Sequence, residues 1–306
     1  MRAAILCLLL ASCAVPGDDN SAAALAGDAG APADACGPQA DVFLLVGQSN
    51  AVGFGYGPTM IATSPSLGFD TDPDAHTLYP LRYPTGLPVG GYWTGQMSGI
   101  APAFADTWAR LSSHTPVIVA RGKAASGLVE AADLGQGDWT DTIDNDGLFD
   151  AAAMALAATV QTTEAAGYTV VARYVIWWQG ESDGERQISD AAYRAAFHDL
   201  EARFASIGVD HVFIVQIGYR KPTAAFDSRS AYETIQRALA LASIDTPRAV
   251  LVSTLPSALS RACLFAGEPG CGLRDDWHYT TLGYEAIGSD AARNAYAFVA
   301  TGRRPL

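Results

Sequence analysis

Positively charged side chains are scarce in this chain. It has 19 Lys and Arg against 32 Asp and Glu, which gives a formal net charge of −13. No cluster of Lys or Arg occurs anywhere in the sequence. A nucleic-acid partner is therefore not expected, because proteins bind the phosphate backbone through patches of basic side chains. The negative charge also mildly favours neutral ligands, since it repels polyanions at long range.

Long hydrophobic runs are also missing. The apolar run Ala3–Ala11 follows Arg2 and is too short to span a bilayer, but it has the order of a signal peptide. It ends in Leu10-Ala11-Ser12-Cys13, which resembles the bacterial lipobox and implies cleavage before Cys13 and lipidation of its thiol. The alternative is an ordinary secretory signal that is cut a few residues later.

The segment after this run lacks apolar periodicity and is rich in Ala, Gly, Asp and Pro. It cannot bury enough surface to order itself, so we interpret it as a flexible tether. The predicted organisation is a signal peptide over residues 1–12, a tether over 13–38 and one domain over 39–306. We expect an exported protein, either a membrane-anchored lipoprotein of the bacterial cell envelope or a secreted one. Membrane contact is expected only through a lipidated Cys13.

Cysteine is scarce as well, with five residues in the chain, and no cluster of histidines accompanies them. A zinc site is therefore not expected, and the sequence suggests no cofactor. Export would permit disulfides. Cys263 and Cys271 bracket a short loop with Gly and Pro, so we predict that they pair. Cys36 would then be free or paired elsewhere.

The apolar residues that are present, 49% of the chain, alternate between short runs and longer amphipathic stretches. The runs predict five buried strands, at Val42–Gly47, Pro116–Ala120, Val170–Trp178, His211–Ile217 and Ala249–Thr254. The stretches predict five helices, at Ala101–Ser112, Leu148–Ala166, Ser189–Ile207, Ser230–Ser243 and Thr281–Ala300. This alternation predicts an α/β fold with a parallel sheet covered on both faces. Such sheets carry their sites beyond the carboxyl ends of the strands.

A serine follows the first predicted strand, in the sequence GQSNAVG of residues 47–53. Ser49 would lie at the mouth of the sheet, where the glycines permit a tight turn. Its hydroxyl would then be exposed at the start of a helix or loop. A serine at such a position also commonly caps a helix, so the motif alone does not make it a nucleophile.

A histidine with nearby carboxylates precedes the last predicted helix, in the sequence DDWH of residues 275–278. Imidazole can take the proton of a serine hydroxyl near neutral pH. A carboxylate three residues earlier can curl back to the other ring nitrogen and stabilise the imidazolium. Asp275 has this offset from His278. Asp276 is the other candidate for this role, and it could instead cap the turn.

The third predicted strand ends in WWQGESD, residues 177–183, at the same edge of the sheet as Ser49. An acyl-transfer site needs donors aimed at the developing oxyanion, and the Gln179 amide can be one. Its other possible role is to satisfy backbone groups at the strand end. Glu181 and Asp183 also suggest the paired carboxylates of a glycosidase, but the serine and histidine motifs favour acyl transfer.

Taken in this order, the three motifs resemble the SGNH-hydrolase superfamily, and within it the sialate O-acetylesterase and acetylxylan esterase branch, carbohydrate esterase family six. The resemblance spans residues 41–300. It implies a three-layer α/β/α sandwich around a mainly parallel sheet, here of five strands, and hydrolysis of an ester through an acyl-serine. It implies Ser49 as nucleophile, with Asp275 and His278 completing the triad. The implied oxyanion hole consists of the Ser49 amide, a glycine amide and the Gln179 side chain.

The glycine of this oxyanion hole lies in ARGKAASG, residues 120–127. Gly122 matches the family from the strand side and Gly127 from the far side, and we favour Gly122. The sequence also has Trp178 where the branch commonly has His, which argues against acid–base help from that position.

A long stretch, Phe54–Gly99, follows the first strand and has little periodicity. Long ordered loops are often functional, so we expect it to lie over the site. Its residues Tyr56, Tyr92, Trp93 and Met97 are candidates for an apolar wall, or for a loop folded on its own aromatics. The candidate substrate-binding residues are Gln48, Asn50, Trp93 and Glu181.

The sequence thus predicts a serine esterase that removes O-acyl groups, most simply O-acetyl groups, from carbohydrates. The expected partner is an acetylated glycan or another small ester. One alternative is a general small-ester or lipid esterase with the same machinery. A second alternative, from another class, is a non-catalytic glycan-binding lipoprotein. The joint presence of Ser49, Gln179, Asp275 and His278 argues against it, because binding alone does not require them all.

Overall fold

The structure is a computed structural model that describes residues 37–55, 62, 65–69, 77–83, 98–140, 147–221, 228–267 and 271–306. Its strands are β1 Gln39–Gly47, β2 Leu67–Phe69, β3 Leu78–Pro80, β4 Thr115–Ala120, β5 Thr169–Trp178, β6 His211–Val215 and β7 Ala249–Ser253. Its α-helices are α1 Ser49–Val52, α2 Ala101–Ser112, α3 Leu148–Ala165, α4 Glu181–Glu185, α5 Asp190–Ser206, α6 Ser228–Asp245, α7 Leu255–Arg261 and α8 Thr281–Thr301.

One sheet contains all seven of these strands, in the order β3-β2-β4-β1-β5-β6-β7. The pairing of β2 with β3 is antiparallel, and every other pairing is parallel. The predicted α/β fold with a mainly parallel sheet is confirmed. The predicted number of five strands is wrong, because β2 and β3 lie inside the stretch Phe54–Gly99 that we predicted to be a loop. Each is three residues long, too short to show a period of two.

Helices cover both faces of the sheet. On one face Trp108 of α2 meets Tyr174 of β5 and Tyr296 of α8, with ring centroids 5.5 and 5.7 Å apart. Trp177 lies three residues after Tyr174 in β5, so it faces the other way. It meets Phe197 of α5 at 6.1 Å. Because both faces are covered, β1 is buried from its second residue to its last, which explains its apolar run Val42–Gly47.

The sheet order places a switch point at β1. The chain goes from β1 to the β2–β4 side first and returns to add β5 on the opposite side. In open α/β sheets, the connections at such a point diverge and leave a crevice beyond the carboxyl ends of the strands. β1 and β5 end level with each other, since Gly47 pairs with Trp178. The residues after these two strands therefore meet at the crevice.

Candidate active site

Ser49 lies in the turn that leaves β1, as the first residue of the short helix α1. The turn brings Gly47 so close to β5 that a Cβ atom on it would lie 1.9 Å from the carbonyl oxygen of Trp178. Its φ of 134° is also a conformation that side chains disfavour. Only glycine therefore fits at this position. The tight turn places Ser49 at the edge of the sheet where the parallel strands end.

The structure brings Ser49, His278 and Asp275 together. His278 Nε2 lies 3.0 Å from Ser49 Oγ, and His278 Nδ1 lies 2.9 Å from Asp275 Oδ2. The other carboxylate oxygen of Asp275 accepts the backbone N–H groups of Trp277 and His278 at 2.9 and 2.8 Å. Phe54 stacks on the imidazole with ring centroids 4.8 Å apart. The ring is thus fixed between a carboxylate, a hydroxyl and an aromatic face.

Asp275 is held in its ionised form. Partial burial raises its pKa, but hydrogen bonds from Trp277 and His278 outweigh that effect, so the pKa lies below its usual value. An ionised Asp275 accepts a hydrogen bond from the Nδ1–H group of His278, which leaves Nε2 as an acceptor for the hydroxyl of Ser49. The backbone carbonyl of Asp276 accepts the N–H of Lys221 at 3.3 Å. The contact of the Asp275 carboxylate with Nδ1 makes Asp275 the hydrogen-bond partner of His278.

The two glycines proposed for the oxyanion hole differ in their surroundings. Gly122 packs on α1, where a Cβ atom would lie 3.0 Å from a methyl group of Val52 and 3.3 Å from its backbone nitrogen. Within the described part of the chain, the N–H groups of Ser49 and Gly122 have no acceptor. The N–H of Gly127 already donates to the carbonyl of Gly137 at 3.2 Å. The structure therefore favours Gly122.

The expected role of Gln179 as an oxyanion donor does not fit the structure. Its side chain is completely buried, and its Nε2 donates to Asp183 Oδ2, to the Ser126 carbonyl at 3.3 Å and to Gln48 Oε1 at 3.4 Å. Its Oε1 accepts the hydroxyl of Tyr193 at 3.0 Å. Both ends of the amide are engaged inside the protein. Gln179 therefore ties the end of β5 to its neighbours, which is the alternative that the sequence left open.

Gln48 and Asn50, expected to bind substrate, also hold the site together. Gln48 Oε1 accepts the N–H of Ser182 at 3.1 Å and so caps the start of α4. Asn50 Nδ2 donates to Glu181 Oε1 at 2.6 Å and to the Trp277 carbonyl at 3.3 Å. Gln48 still lines the pocket described below, whereas Asn50 is 1% exposed and fully engaged. The polar atoms of Asn50 are therefore used to hold neighbouring segments in place.

Glu181 is buried beside this network, with 5% of its surface exposed. Burial raises its pKa from 4.5 to about 7, against the opposing effect of the hydrogen bond from Asn50. Its second oxygen, Oε2, has no hydrogen-bond partner among the described residues. Glu181 is therefore a buried carboxyl group whose Oε1 is held by Asn50, the residue that follows Ser49. The other residue expected to bind substrate, Trp93, lies outside the described residues, as do Tyr56, Tyr92 and Met97.

A pocket of about 280 Å³ opens over Ser49 and His278. Its wall comprises Gln48, Ser49, Phe54, Ala124, Ala125, Leu134, Glu181, Ser182, Glu185, Tyr232, Trp277 and His278. Sequence reasoning missed Leu134, Glu185 and Tyr232. Tyr232 lies inside α6, where nothing in the sequence distinguishes it from a core residue. No group of His, Cys, Asp and Glu suited to a metal occurs in the part of the chain that the structure covers.

The predicted disulfide is present. Cys263 and Cys271 are bonded, and their Cα atoms lie 5.3 Å apart. Cys263 belongs to a π-helical turn, Ala262–Ala266, that follows α7. Cys271 precedes the segment that carries Asp275 and His278, so the bond anchors the start of that segment. Cys36 and Cys13 lie outside the described residues.

Comparison with known proteins identifies relatives of this fold. A protein from Arabidopsis thaliana has 17% sequence identity and a TM-score of 0.55, with 85% of this chain and 98% of that chain covered. The acetylxylan esterase Axe2 from Geobacillus stearothermophilus has 11% identity and a TM-score of 0.47, with 84% and 94% covered. LAE5, an alpha/beta hydrolase from the metagenome of Lake Arreo in Spain, has 15% identity and a TM-score of 0.43, with 86% and 96% covered. The first of these likenesses shows a common fold.

Curated protein sequences give no match to this chain. A family model does match it, and it extends over residues 39–297. The matched region includes both β1 and α8 almost to its end, so it contains every residue of the hydrogen-bonded arrangement around Ser49. That family is described as carbohydrate esterase, sialic acid-specific acetylesterase. The chain belongs to this family of carboxylic ester hydrolases, the carbohydrate acetylesterases.

Proposed function

We propose that this chain hydrolyses O-acetyl esters of carbohydrates through a covalent acyl-enzyme formed on Ser49. The observation that carries the proposal is the continuous hydrogen-bonded series from Asp275 through His278 to Ser49, with distances of 2.9 and 3.0 Å. It ends in a pocket large enough for a small ester. A nucleophile, a base and a group that orients the base are the parts that acyl transfer requires.

The reaction begins when Ser49 Oγ attacks the ester carbonyl and His278 Nε2 takes its proton. Asp275 stabilises the resulting imidazolium through Nδ1. The negative charge that develops on the carbonyl oxygen is stabilised by the N–H groups of Ser49 and Gly122, which have no other acceptor in the described structure. The C–O bond to the sugar then breaks, and the sugar oxygen takes the proton from His278.

Water completes the cycle by the same steps. His278 removes a proton from a water molecule, which attacks the acetyl carbonyl of the acyl-serine. The oxyanion forms again at the same two N–H groups. Collapse of this intermediate releases acetate, and Ser49 recovers its proton from His278.

A fluorophosphonate probe together with acetate release tests the proposal. We expect the probe to label the protein at Ser49, and Ser49→Ala to abolish both labelling and acetate release from acetylated glycans. Ser253→Ala is the matched control, because Ser253 is a buried serine of β7 that donates to Asp290 away from the pocket. The proposal is wrong if the Ser49→Ala protein still reacts with the probe or retains its activity.

The assignment of Asp275 as the partner of His278 is tested by two matched variants, Asp275→Asn and Asp276→Asn. Loss of a triad carboxylate costs about 10⁴-fold in kcat. We expect this loss for Asp275→Asn alone, because only Asp275 has its carboxylate on the His278 ring. Equal losses in the two variants, or the larger loss in Asp276→Asn, would contradict the assignment.

We further propose that the enzyme is held at a bacterial membrane by acyl chains on Cys13. The support is the lipobox-like sequence before Cys13 and the Ala- and Gly-rich segment after it. The structure describes no helix that is both long and apolar enough to cross a bilayer. Residues 13–36 lie outside the described part, so this proposal rests on the sequence.

A further inference from the structure

Trp277 forms part of the pocket wall directly beside the candidate base. It precedes His278 in the chain, and the centroids of its indole ring and of the imidazole lie 6.3 Å apart. Trp277 is half-buried and lines the pocket. The proposed reaction uses this indole in no chemical step. A large aromatic side chain that borders a pocket in this way is the kind of surface on which ligands pack.

The position of Trp277 is fixed by its backbone and by Arg220. Its N–H donates to Asp275 at 2.9 Å, and its carbonyl accepts the amide of Asn50 at 3.3 Å. The guanidinium carbon of Arg220 lies 4.7 Å from the centroid of the indole, a cation–π contact. Arg220 is not among the described residues that line the pocket, so the indole turns its other side to the pocket.

Arg220 also holds Glu185. Its NH1 group donates to Oε1 of Glu185, which lines the same pocket and has 26% of its side chain exposed. A carboxylate has about four lone-pair sites, so Glu185 can accept a further hydrogen bond from a ligand. Arg220 therefore holds an aromatic ring and an accessible carboxylate side by side on one wall of the pocket.

The proposed reaction brings the alcohol part of the ester to this wall. His278 gives its proton to the leaving oxygen, so that oxygen must lie at the imidazole. The carbonyl oxygen faces the N–H groups of Ser49 and Gly122 instead, and Gly122 follows β4, on the other side of β1 from β5. A ring attached to the leaving oxygen therefore lies beside Trp277.

We propose that Trp277 and Glu185 form a sugar-binding subsite, in which the indole stacks on the sugar ring that carries the ester and the carboxylate accepts one of its hydroxyl groups. This inference rests on the proposed function and names the part of the substrate that the site recognises. The C–H groups on the face of a sugar ring carry a partial positive charge that matches the negative face of an aromatic ring. The hydroxyl groups on its rim donate to a carboxylate.

The combination favours a sugar over the alcohol of a simple or lipid ester. An alkyl chain can pack on Trp277, but it would also cover the carboxylate of Glu185 without offering it a hydrogen bond, which costs free energy. A sugar hydroxyl replaces the water that leaves this carboxylate, so the cost is offset. The paired indole and carboxylate thus select a ring that has both an apolar face and a polar rim.

Three esters with the same acetyl group test the subsite. Methyl 6-O-acetyl-glucopyranoside and cyclohexylmethyl acetate both have a six-membered ring next to the ester, but only the first has hydroxyl groups, and ethyl acetate has no ring. We expect kcat/KM of the wild-type enzyme to fall in that order. Trp277→Leu should lower kcat/KM of the two ring esters relative to ethyl acetate about three- to tenfold. The loss should appear in KM, because the ring stacks equally in the ground and transition states.

Glu185→Gln provides a second variant that separates the hydroxyl groups from the ring. Its amide oxygen still accepts from Arg220 but is a weaker acceptor than a carboxylate. We expect it to lower kcat/KM of the sugar ester relative to cyclohexylmethyl acetate about three- to tenfold, the usual worth of one hydrogen bond. Trp277→Phe keeps a flat ring and should retain most of the preference for ring esters.

Phe265→Leu is the matched control. Phe265 is also an exposed aromatic residue with an arginine over its ring, Arg229 at 5.4 Å, but it lies outside the described pocket wall. The subsite is wrong if the wild-type enzyme cleaves ethyl acetate as well as the ring esters, or if Trp277→Leu lowers kcat/KM of all three equally or not at all. A wild-type enzyme that cleaves no acetyl ester and is not labelled at Ser49 would instead overturn the proposed function, and the subsite with it.

Discussion

Asn50 joins four segments of the chain around the candidate nucleophile. It follows Ser49, donates to Glu181 at the start of α4 and to the carbonyl of Trp277, and accepts the hydroxyl of Tyr284 from α8 at 2.8 Å. The turn after β1, the turn after β5 and the segment that carries His278 are thereby locked to one side chain. A nucleophile and a base from distant parts of the chain need such a support, because small displacements cost large factors in rate.

Glu181 makes the stability of the protein depend on pH. Its pKa of about 7 in the folded chain exceeds its usual 4.5, so between these values the folded chain holds a proton that the unfolded chain has released. The free energy of unfolding therefore falls as the pH rises through this window. At about 1.4 kcal/mol for each tenfold change in proton affinity, the loss amounts to about 3 kcal/mol. Urea denaturation at about pH 5 and about pH 8 measures it.

Glu181→Gln should remove this part of the pH dependence, because the amide does not titrate. The neighbouring Asp183, whose pKa burial raises to about 6, contributes a further loss with the same sign that remains in the variant. Glu164→Gln, at an exposed position near the end of α3, is the control and should behave like the wild type. An unchanged pH dependence in Glu181→Gln would show that Glu181 does not titrate in this range.

At the scale of elements, the sequence predicted those strands and helices that are long enough to show a pattern. β1, β4, β5, β6 and β7 each contain an apolar run because helices cover both faces of the sheet. β2, β3, α1 and α4 have three to five residues each, which is less than two periods of any helix and too few for a strand to alternate clearly. β2, β3 and α4 were therefore missed, and α1 was predicted only as a helix or a loop after Ser49.

The candidate site could likewise be predicted only in part from the sequence. The structure places His278 Nε2 3.0 Å from Ser49 Oγ, which agrees with the pairing that the resemblance to the SGNH-hydrolase superfamily implied. The orientation of Gln179 could not be predicted, since a residue at a strand end can turn its side chain inward or outward. Its inward direction follows from Asp183 and Tyr193, which reach it only in the folded structure.

The Cys263–Cys271 disulfide stabilises the segment before Asp275 and His278. It closes a loop with a sequence separation of 8, and a loop of this size contributes up to about 3 kcal/mol. We expect reduction, or the Cys263→Ser/Cys271→Ser double variant, to lower the Tm and to reduce kcat more than it raises KM. The reason is that a looser segment misplaces the base and not the binding pocket. Thermal unfolding and steady-state kinetics with and without a reductant measure both effects.

Cys36→Ser is the control for the disulfide and should change neither quantity. Peptide mapping without reductant should recover Cys263 and Cys271 linked to each other. A bond from Cys36 to either residue, or an unchanged Tm after reduction, would contradict the assignment.

At the scale of the whole molecule, the proposed lipid on Cys13 would decide where the enzyme works. A single acyl chain binds a membrane only marginally, whereas several together anchor it stably. The tether of about 25 residues would reach roughly 25 to 30 Å as a flexible chain, which lets the site reach glycans near the membrane. We expect Cys13→Ser to move active enzyme from the membrane fraction to the soluble fraction of cells.

Cys7→Ser, within the predicted signal peptide, is the control and should leave the distribution unchanged. Mass spectrometry of the mature N-terminus should find a diacylated or triacylated Cys13. A soluble wild-type enzyme whose mature chain begins after Cys13 would show that the leader is an ordinary signal peptide.

The hydrogen bond between Ser49 and His278 spans 229 positions of the chain. A ribosome that has made β1 and its turn must still synthesise most of the protein before the base exists, and the base is in place only after α8 has packed against the sheet. On the proposed mechanism, the nascent chain is therefore inactive until the segment that carries His278 has been synthesised and has folded. On the proposed mechanism, activity appears only after this contact has formed, so the time course of ester hydrolysis during refolding reports the formation of the Ser49–His278 contact.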